Sequence, residues 1–200
     1  MERILLITAV ALAYDYNALM IEWKPTVCKT MNCIPGYLST DFNIHGLWPN
    51  NWDGTYPQYC ANETFSITAQ TEALLNIYWE SDVGPSLSFW EHEWSKHGTC
   101  VSPAVSCNTY FNTTVSLFLT RNPLNALSVF GIVPSNTKIY TTSQFVGSFS
   151  KTVLITCQRV SNTYFLDTVQ FCYDKSFNWI SCVGTQTSCG TSGFLLPLAS

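Results

Sequence analysis

The spacing of apolar residues predicts two strands near the start of the chain and a helix after them. The segments YNALMIEW (16–23) and FNIHGLW (42–48) combine apolar, β-branched and aromatic residues, and we predict a strand for each. The second strand should end at Pro49, because proline lacks the N–H that a sheet interior requires. Between residues 68 and 82 apolar side chains recur at helical spacing, and Gly84-Pro85 ends that predicted helix.

Later segments predict more helices and then a group of strands. Four further helices are expected at about residues 88–98, 108–120, 123–130 and 142–150. After Lys151 the segments VLITCQRV, TYFLDTVQFCY and NWISC predict three strands joined by turns. Because helices and strands do not alternate regularly, this order favours an α+β fold with a central antiparallel sheet over a doubly wound fold.

Length and composition fit one domain. The chain has 200 residues, 46% of them hydrophobic, which is enough to close a single core. Its first segment, MERILLITAVALA, holds an apolar run that ends in small-x-small patterns. We therefore expect residues 1–13 to be a cleavable signal peptide and residues 14–200 to form the domain, the alternative being a buried first strand. The run is too short to span a bilayer, and no other segment looks transmembrane.

The cysteine content and the net charge limit which compartments and which functions are compatible with the sequence. Nine cysteines and two N-x-T sequons, at Asn62 and Asn112, favour secretion or an acidic compartment such as a lysosome or vacuole. A net charge of −4 argues against a protein that holds nucleic acid through many phosphate contacts. An enzyme needs only a local basic site and must release its product. Protonation of the three histidines would help a polyanionic substrate to bind at acid pH.

Charged residues are concentrated in the segment FWEHEWSKHGTC (89–100), although they make up only 11% of the chain. On a helix, which turns about 100° per residue, one continuous face carries four charged or titratable side chains, namely His92, Glu93, Lys96 and His97. Trp90 and Trp94 flank this face and can anchor it in the core. An ordinary solvated charged face is the simpler interpretation, but the intervening tryptophans weaken it.

A metal site is the first functional alternative for this helix, because His-Glu resembles the start of a zincin motif. The spacing does not fit, since the second histidine of that motif would stand where Lys96 stands. An adjacent ammonium would also oppose a bound cation. We therefore expect no metal and no cofactor.

Two histidines beside a carboxylate and an ammonium suit cleavage of a phosphodiester without metal. Attack of an RNA 2′-OH on its own phosphate needs a base, an acid and positive charge near the phosphorane. Histidine can serve as either acid or base. The third histidine of the chain is His45, within FNIHGLWP, so every histidine lies in one of two motifs. Residue type alone does not decide which histidine is the acid.

The two histidine motifs resemble a known family. FNIHGLWPNNWDGTYPQYC and FWEHEWSKHGTC are similar to the two active-site segments of the ribonuclease T2 family of secreted acid ribonucleases. The similarity extends from YDYNALMIEWKPTVC to the Cys-Gly-Thr near residue 189. It implies an α+β fold with a central antiparallel sheet. It also implies an endoribonuclease that cleaves single-stranded RNA by metal-independent transphosphorylation through a 2′,3′-cyclic phosphate, and we expect the protein to be a monomer.

The resemblance also implies roles for individual residues. His45 would be the general acid that protonates the leaving oxygen, and His97 would be the general base. His92 would bind phosphate, while Glu93 and Lys96 would stabilise the transition state. Two aromatic residues, Trp48 and Phe89, would line the pocket for the base, unless they are ordinary core residues.

The same resemblance implies four disulfides, namely Cys28–Cys33, Cys60–Cys100, Cys157–Cys189 and Cys172–Cys182. Cys107 is then left over, and we expect a buried thiol, with pairing to another chain or an exchanged partner as alternatives. Glu22 departs from the family, because plant relatives carry glutamine there in the base-recognition pocket. We expect Glu22 to contact the base, with a preference that depends on pH; the alternative is that it points to solvent beside Lys24.

Two rival classes of protein remain open. A secreted relative that has lost catalysis and acts as a binding or defence module predicts a damaged motif, whereas both motifs are intact. An aromatic-rich carbohydrate-binding domain would explain seven tryptophans but not the charged face of the helix.

Overall fold

The computed structural model describes residues 14–34, 40–121, 123–184 and 188–199, so the predicted signal peptide lies outside the described residues. In chain order the elements are β1 (Tyr16–Trp23), α1 (Lys24–Thr30), β2 (Phe42–Asn50), α2 (Ala69–Tyr78), α3 (Ser86–Lys96), a short 3-10 helix (Gly98–Cys100), α4 (Cys107–Arg121), α5 (Pro123–Val129), β3 (Ile139–Tyr140), α6 (Thr142–Val146), β4 (Leu154–Val160), β5 (Thr163–Tyr173), β6 (Trp179–Ile180) and β7 (Phe194–Leu195). None of the described helices is long and apolar enough to cross a membrane.

The described strands form one sheet with β5 at its centre. The path through the sheet is β2-β1-β5-β7-β3, and β4 and β6 also pair with β5. The α+β prediction is confirmed, but the sheet is mixed rather than antiparallel throughout. The exception is β7, which runs parallel to β5, with Leu195 opposite Phe165.

The largest strands and helices lie where the apolar pattern predicts them, and the differences have physical reasons. β2 continues past Pro49 to Asn50. It is the first strand of the sheet path, and proline is tolerated at a sheet edge. The helix α1 was not predicted; it begins at Lys24 with Pro25 in its first turn, where a missing N–H removes no helical hydrogen bond. The two-residue strands β3 and β7 are too short to leave a pattern.

Aromatic side chains from the helices hold β2 in place. Trp79 donates its Nε1–H to the backbone oxygen of His45 at 2.8 Å, and the Tyr110 hydroxyl donates to that of Leu47 at 2.9 Å. Trp90 in turn donates to the backbone oxygen of Trp79 at 2.6 Å. These bonds satisfy carbonyl groups that the sheet does not pair. They fix α3 and β2 relative to each other.

Four disulfides join Cys28 with Cys33, Cys60 with Cys100, Cys157 with Cys189 and Cys172 with Cys182, which are the pairs that the resemblance implies. The second of them ties the loop that follows β2 to the end of the 3-10 helix. Cys107 is a free thiol and is buried, with 6% of its surface exposed.

Candidate active site

A β-bulge on β2 positions His45. Met20 of β1 lies opposite Gly46, but the next residue, Ile21, lies opposite Ile44, so His45 is an extra residue without a partner. The bulge lets both Ile44 and Leu47, three residues apart, enter the core. Bulges often redirect a side chain beside an active site. Here the His45 imidazole reaches a cleft and is 37% exposed.

The partner of His45 is Glu22. An oxygen of the Glu22 carboxylate, Oε2, lies 3.0 Å from His45 Nδ1, within hydrogen-bonding distance. Glu22 is buried, and so is Lys24, so this carboxylate does not point to solvent beside that lysine. It is also absent from the lining of the cleft. The structure therefore places Glu22 behind His45 rather than in the position where we expected it to contact a base.

The charged face of α3 lies opposite β2, and Trp48 connects the two. The Trp48 Nε1–H donates to Glu93 Oε2 at 2.8 Å, and its ring stacks on the imidazole of His97 with 5.0 Å between centroids. The His45 ring contacts Trp48 and Phe89 edge to face, at 5.2 and 5.6 Å. Both aromatic residues that the sequence suggested as pocket residues thus touch a catalytic candidate.

One cavity of about 510 Å³ collects the two motifs. Its lining contains seven of the eight residues proposed for catalysis or base binding, all but Glu22: His45, Trp48, Phe89, His92, Glu93, Lys96 and His97. Gly46 is needed for this close packing, since a Cβ there would collide with Trp48 Nε1 and Glu93 Oε2. The sequence model of the Ribonuclease T2 family matches residues 14–182.

The chain belongs to the ribonuclease T2 family. It is 34% identical over 171 residues to ribonuclease DdI of Dictyostelium discoideum, an alignment covering 82% of this chain and 75% of the relative. Over 178 residues it is 35% identical to ribonuclease 1 of Arabidopsis thaliana, covering 82% and 77%. The solved structure of RNase NT in complex with 5′-AMP superposes with a TM-score of 0.82 at 26% identity, covering 93% of this chain and 99% of that one.

Within this member of the ribonuclease T2 family the two central histidines have opposite environments. Burial lowers the pKa of His45, but the hydrogen bond and charge of Glu22, together with the charges of Glu93 and Asp82, outweigh burial and raise the net pKa. Burial, helped by the positive charge of Lys96, lowers the pKa of His97 to about 3. Among the described residues the buried His97 Nδ1 has no hydrogen-bond partner, so no acceptor there stabilises a proton on that nitrogen. At mildly acid pH His45 can thus hold a proton while His97 stays neutral, which are the starting states that an acid and a base need.

The remaining charged residues on α3 differ in their exposure. His92 is exposed, and its pKa is lowered by partial burial and by the charge of Lys96. Glu93 is only 2% exposed, and burial raises its pKa to about 7 although the bond from Trp48 opposes the shift. At acid pH the Glu93 carboxyl is therefore neutral, and it can donate a hydrogen bond as well as accept one.

Sequence reasoning missed further residues of the cavity wall in this member of the family. These are the polar and aromatic residues beside β2, namely Tyr16, Asn50, Asn51, Trp52 and Tyr56. The Trp52 ring stacks on Tyr16 at 3.8 Å between centroids. Four of these five residues belong to NNWDGTY, which lies inside the first motif that resembles the family's active site, so the motif itself was the signal. No role was assigned to them from the sequence.

Proposed function

We propose that this member of the ribonuclease T2 family is an active endoribonuclease that cleaves single-stranded RNA through a 2′,3′-cyclic phosphate without a metal ion. The observation that carries this proposal is that one cavity joins a histidine paired with a carboxylate, His45, to a buried histidine, His97, whose Nδ1 has no acceptor among the described residues. Its relatives in Dictyostelium and Arabidopsis are named ribonucleases, and RNase NT binds 5′-AMP.

In the proposed mechanism His97 is the general base and His45 the general acid. Neutral His97 takes the proton of the 2′-OH, whose oxygen attacks the adjacent phosphorus. The bond from phosphorus to the 5′-oxygen breaks, and protonated His45 delivers its proton to that leaving oxygen. The products are a 2′,3′-cyclic phosphate and a free 5′-hydroxyl. A water molecule can then open the cyclic phosphate with the two roles reversed.

The other charged residues of the cavity act on the phosphorane. The ammonium of Lys96 offsets the negative charge that develops on the phosphoryl oxygens. Neutral Glu93 donates a hydrogen bond to one of these oxygens. The Trp48 Nε1–H donates to Oε2 of the same carboxyl group and holds it in place. Exposed His92 binds phosphate at the rim of the cavity, and the exposed aromatic rings stack on bases.

The compartment and the oligomeric state belong to the same proposal. Four disulfides favour an oxidising, secretory route or an acidic compartment such as a lysosome or vacuole, and we propose a monomer. Asn62 is exposed and accessible to glycosylation. Asn112 is half-buried in α4, where its side-chain oxygen accepts from the Thr71 hydroxyl at 3.2 Å, so it is the poorer acceptor site.

The first test separates RNA transphosphorylation from metal-dependent hydrolysis. We expect cleavage of single-stranded RNA with EDTA present, accumulation of 2′,3′-cyclic phosphate ends, and no cleavage of DNA, which lacks the attacking hydroxyl. Among the described residues no group of three or more His, Cys, Asp or Glu side chains could hold a metal ion. End-group analysis by mass spectrometry is the measurement. Cleavage of DNA, or complete inhibition by EDTA, would exclude this mechanism. An intact fold that cleaves no RNA would favour the binding module.

A second test uses the close packing at Gly46. The substitution Gly46→Ala should lower kcat by about 100-fold or more, because the added methyl group displaces Glu93 and Trp48, and misplaced catalytic groups cost rates of that order. Gly84→Ala is the matched control, since an added Cβ there meets nothing within 4 Å. Comparable loss in both variants would show that the effect is not specific to the site.

A further inference from the structure

The carboxylate of Glu22 lies behind His45, the proposed acid, and the proposed mechanism gives it no role. The Glu22 side chain is 10% exposed, does not line the cavity, and approaches His45 Nδ1 to 3.0 Å. Because one ring nitrogen faces this carboxylate, Nε2 is the nitrogen available to a leaving group. The bulge contributes to this contact. Glu22 lies opposite Asn43 in the strand register, and the bulge brings His45 within its reach.

Other titratable groups surround this pair, among them His92 on α3 and His97 just after it, which interact with His45 through charge. Asp82 follows α2, Lys24 begins α1, Glu93 lies on α3 and Asp167 lies on β5. The Lys24 ammonium lies 2.9 Å from the Asp82 carboxylate and 3.8 Å from that of Glu80. The pKa of Asp82 is raised to about 6 by burial and by the charge of Glu22. At acid pH Asp82 is therefore neutral, and Glu22 is the carboxylate that contacts His45.

We propose that Glu22 is a positioning residue for His45. Its carboxylate accepts the hydrogen bond from Nδ1–H of His45 and fixes the orientation of the ring. It also keeps the imidazole protonated, so that Nε2 can deliver the proton. This inference rests on the proposed function of His45 as the general acid. It assigns Glu22 to catalysis through another residue rather than to base recognition. The pair resembles the carboxylate–histidine arrangement that sets the orientation and charge of imidazole in other enzymes.

The decisive variant is Glu22→Gln, which keeps size and an acceptor oxygen but removes the charge. Loss of an opposite charge at hydrogen-bond distance moves a pKa by roughly 1 unit or more, so the alkaline limb of the profile of kcat/KM against pH should move about 1 unit towards acid. Above that limb the rate should fall about tenfold, while KM and the ranking of bases stay unchanged. Glu22→Asp should recover part of the loss, and Glu22→Ala should lower kcat at every pH.

A spectroscopic measurement makes the test independent of turnover. In ¹⁵N-labelled protein, the titration of His45 should shift to lower pH in Glu22→Gln, while that of His92, on which the charge of His45 acts more weakly than burial and Lys96 do, should move much less. Asp167→Asn is the matched control, because that partly buried carboxylate accepts a hydrogen bond from Gln158 and interacts with His45 through charge alone, so it should move the His45 titration less than Glu22→Gln does. A His45 titration that is the same in wild type and Glu22→Gln would overturn the proposal. A changed ranking of dinucleoside phosphates with an unmoved limb would also overturn it, in favour of base recognition.

The proposed function can fail separately. If His45→Ala cleaves RNA at the wild-type rate, His45 is not the acid, whatever Glu22 does to its titration. If His45→Ala is inactive but Glu22→Gln leaves the limb and the titration unchanged, only the role of Glu22 is wrong.

Discussion

Replacing His97 or His45 by alanine should lower kcat/KM for RNA by about 10²- to 10⁴-fold at acid pH, the usual contribution of a general acid or base. The two losses should also change the pH dependence in different ways. The pKa of His97 is about 3, so wild-type activity should fall on the acid side only when that histidine becomes protonated. The pKa of His45 is raised, and activity should fall on the alkaline side when that histidine loses its proton.

The variants can therefore be distinguished by the limb that disappears. His97→Ala should lose the acid limb, and His45→Ala the alkaline limb. His92→Ala is the control on the same helix; because His92 is exposed and binds only phosphate in this mechanism, it should cost about 10-fold or less. A loss in His92→Ala that exceeds both others would reverse these assignments. The double variant should be little worse than either single variant, since acid and base act in one step.

The part of the site on α3 could be predicted from the sequence, because its arrangement depends only on residues that are close together in the chain. Helical geometry alone places His92, Glu93 and Lys96 on one side of α3, with His97 as the capping residue that follows, and the flanking tryptophans are buried as expected. Disulfide pairs and the remaining roles came from the family resemblance. Neither source of inference depends on how strands pair.

The half of the site on β1 and β2 could not be predicted in the same way. The contact between Glu22 and His45 depends on strand register and on a single-residue bulge, and an unbroken alternation would have directed these side chains differently. The opposite titration of two histidines likewise depends on burial and on partners distant in sequence. Lys24 shows the same limit: lysine side chains are rarely buried, whereas Lys24 is only 1% exposed.

The largest effect on stability is expected from Lys24→Met. The Lys24 ammonium bonds the Asp82 carboxylate at 2.9 Å and lies 3.8 Å from that of Glu80. Removing one partner of a buried ion pair leaves an uncompensated charge and typically costs about 3–5 kcal/mol. For a domain of this size the melting temperature should fall by roughly 6–20 °C. Lys29→Met, on the same helix but exposed, should change stability by about 1 kcal/mol or less.

The cost of Lys24→Met should depend on pH, and the sign follows from Asp82. Its folded pKa, about 6, lies above its ordinary value of 3.8. A raised pKa means that folding favours the protonated carboxyl, so this contribution to stability is complete below about pH 4 and is lost as pH rises through about 6. Without Lys24 the folded pKa of Asp82 rises further, and the loss extends to higher pH. The free energy of unfolding, measured in urea, should therefore differ from wild type more at pH 8 than at pH 4.5. An equal difference at both values would mean that Lys24 stabilises the fold by packing its aliphatic stem rather than by neutralising Asp82.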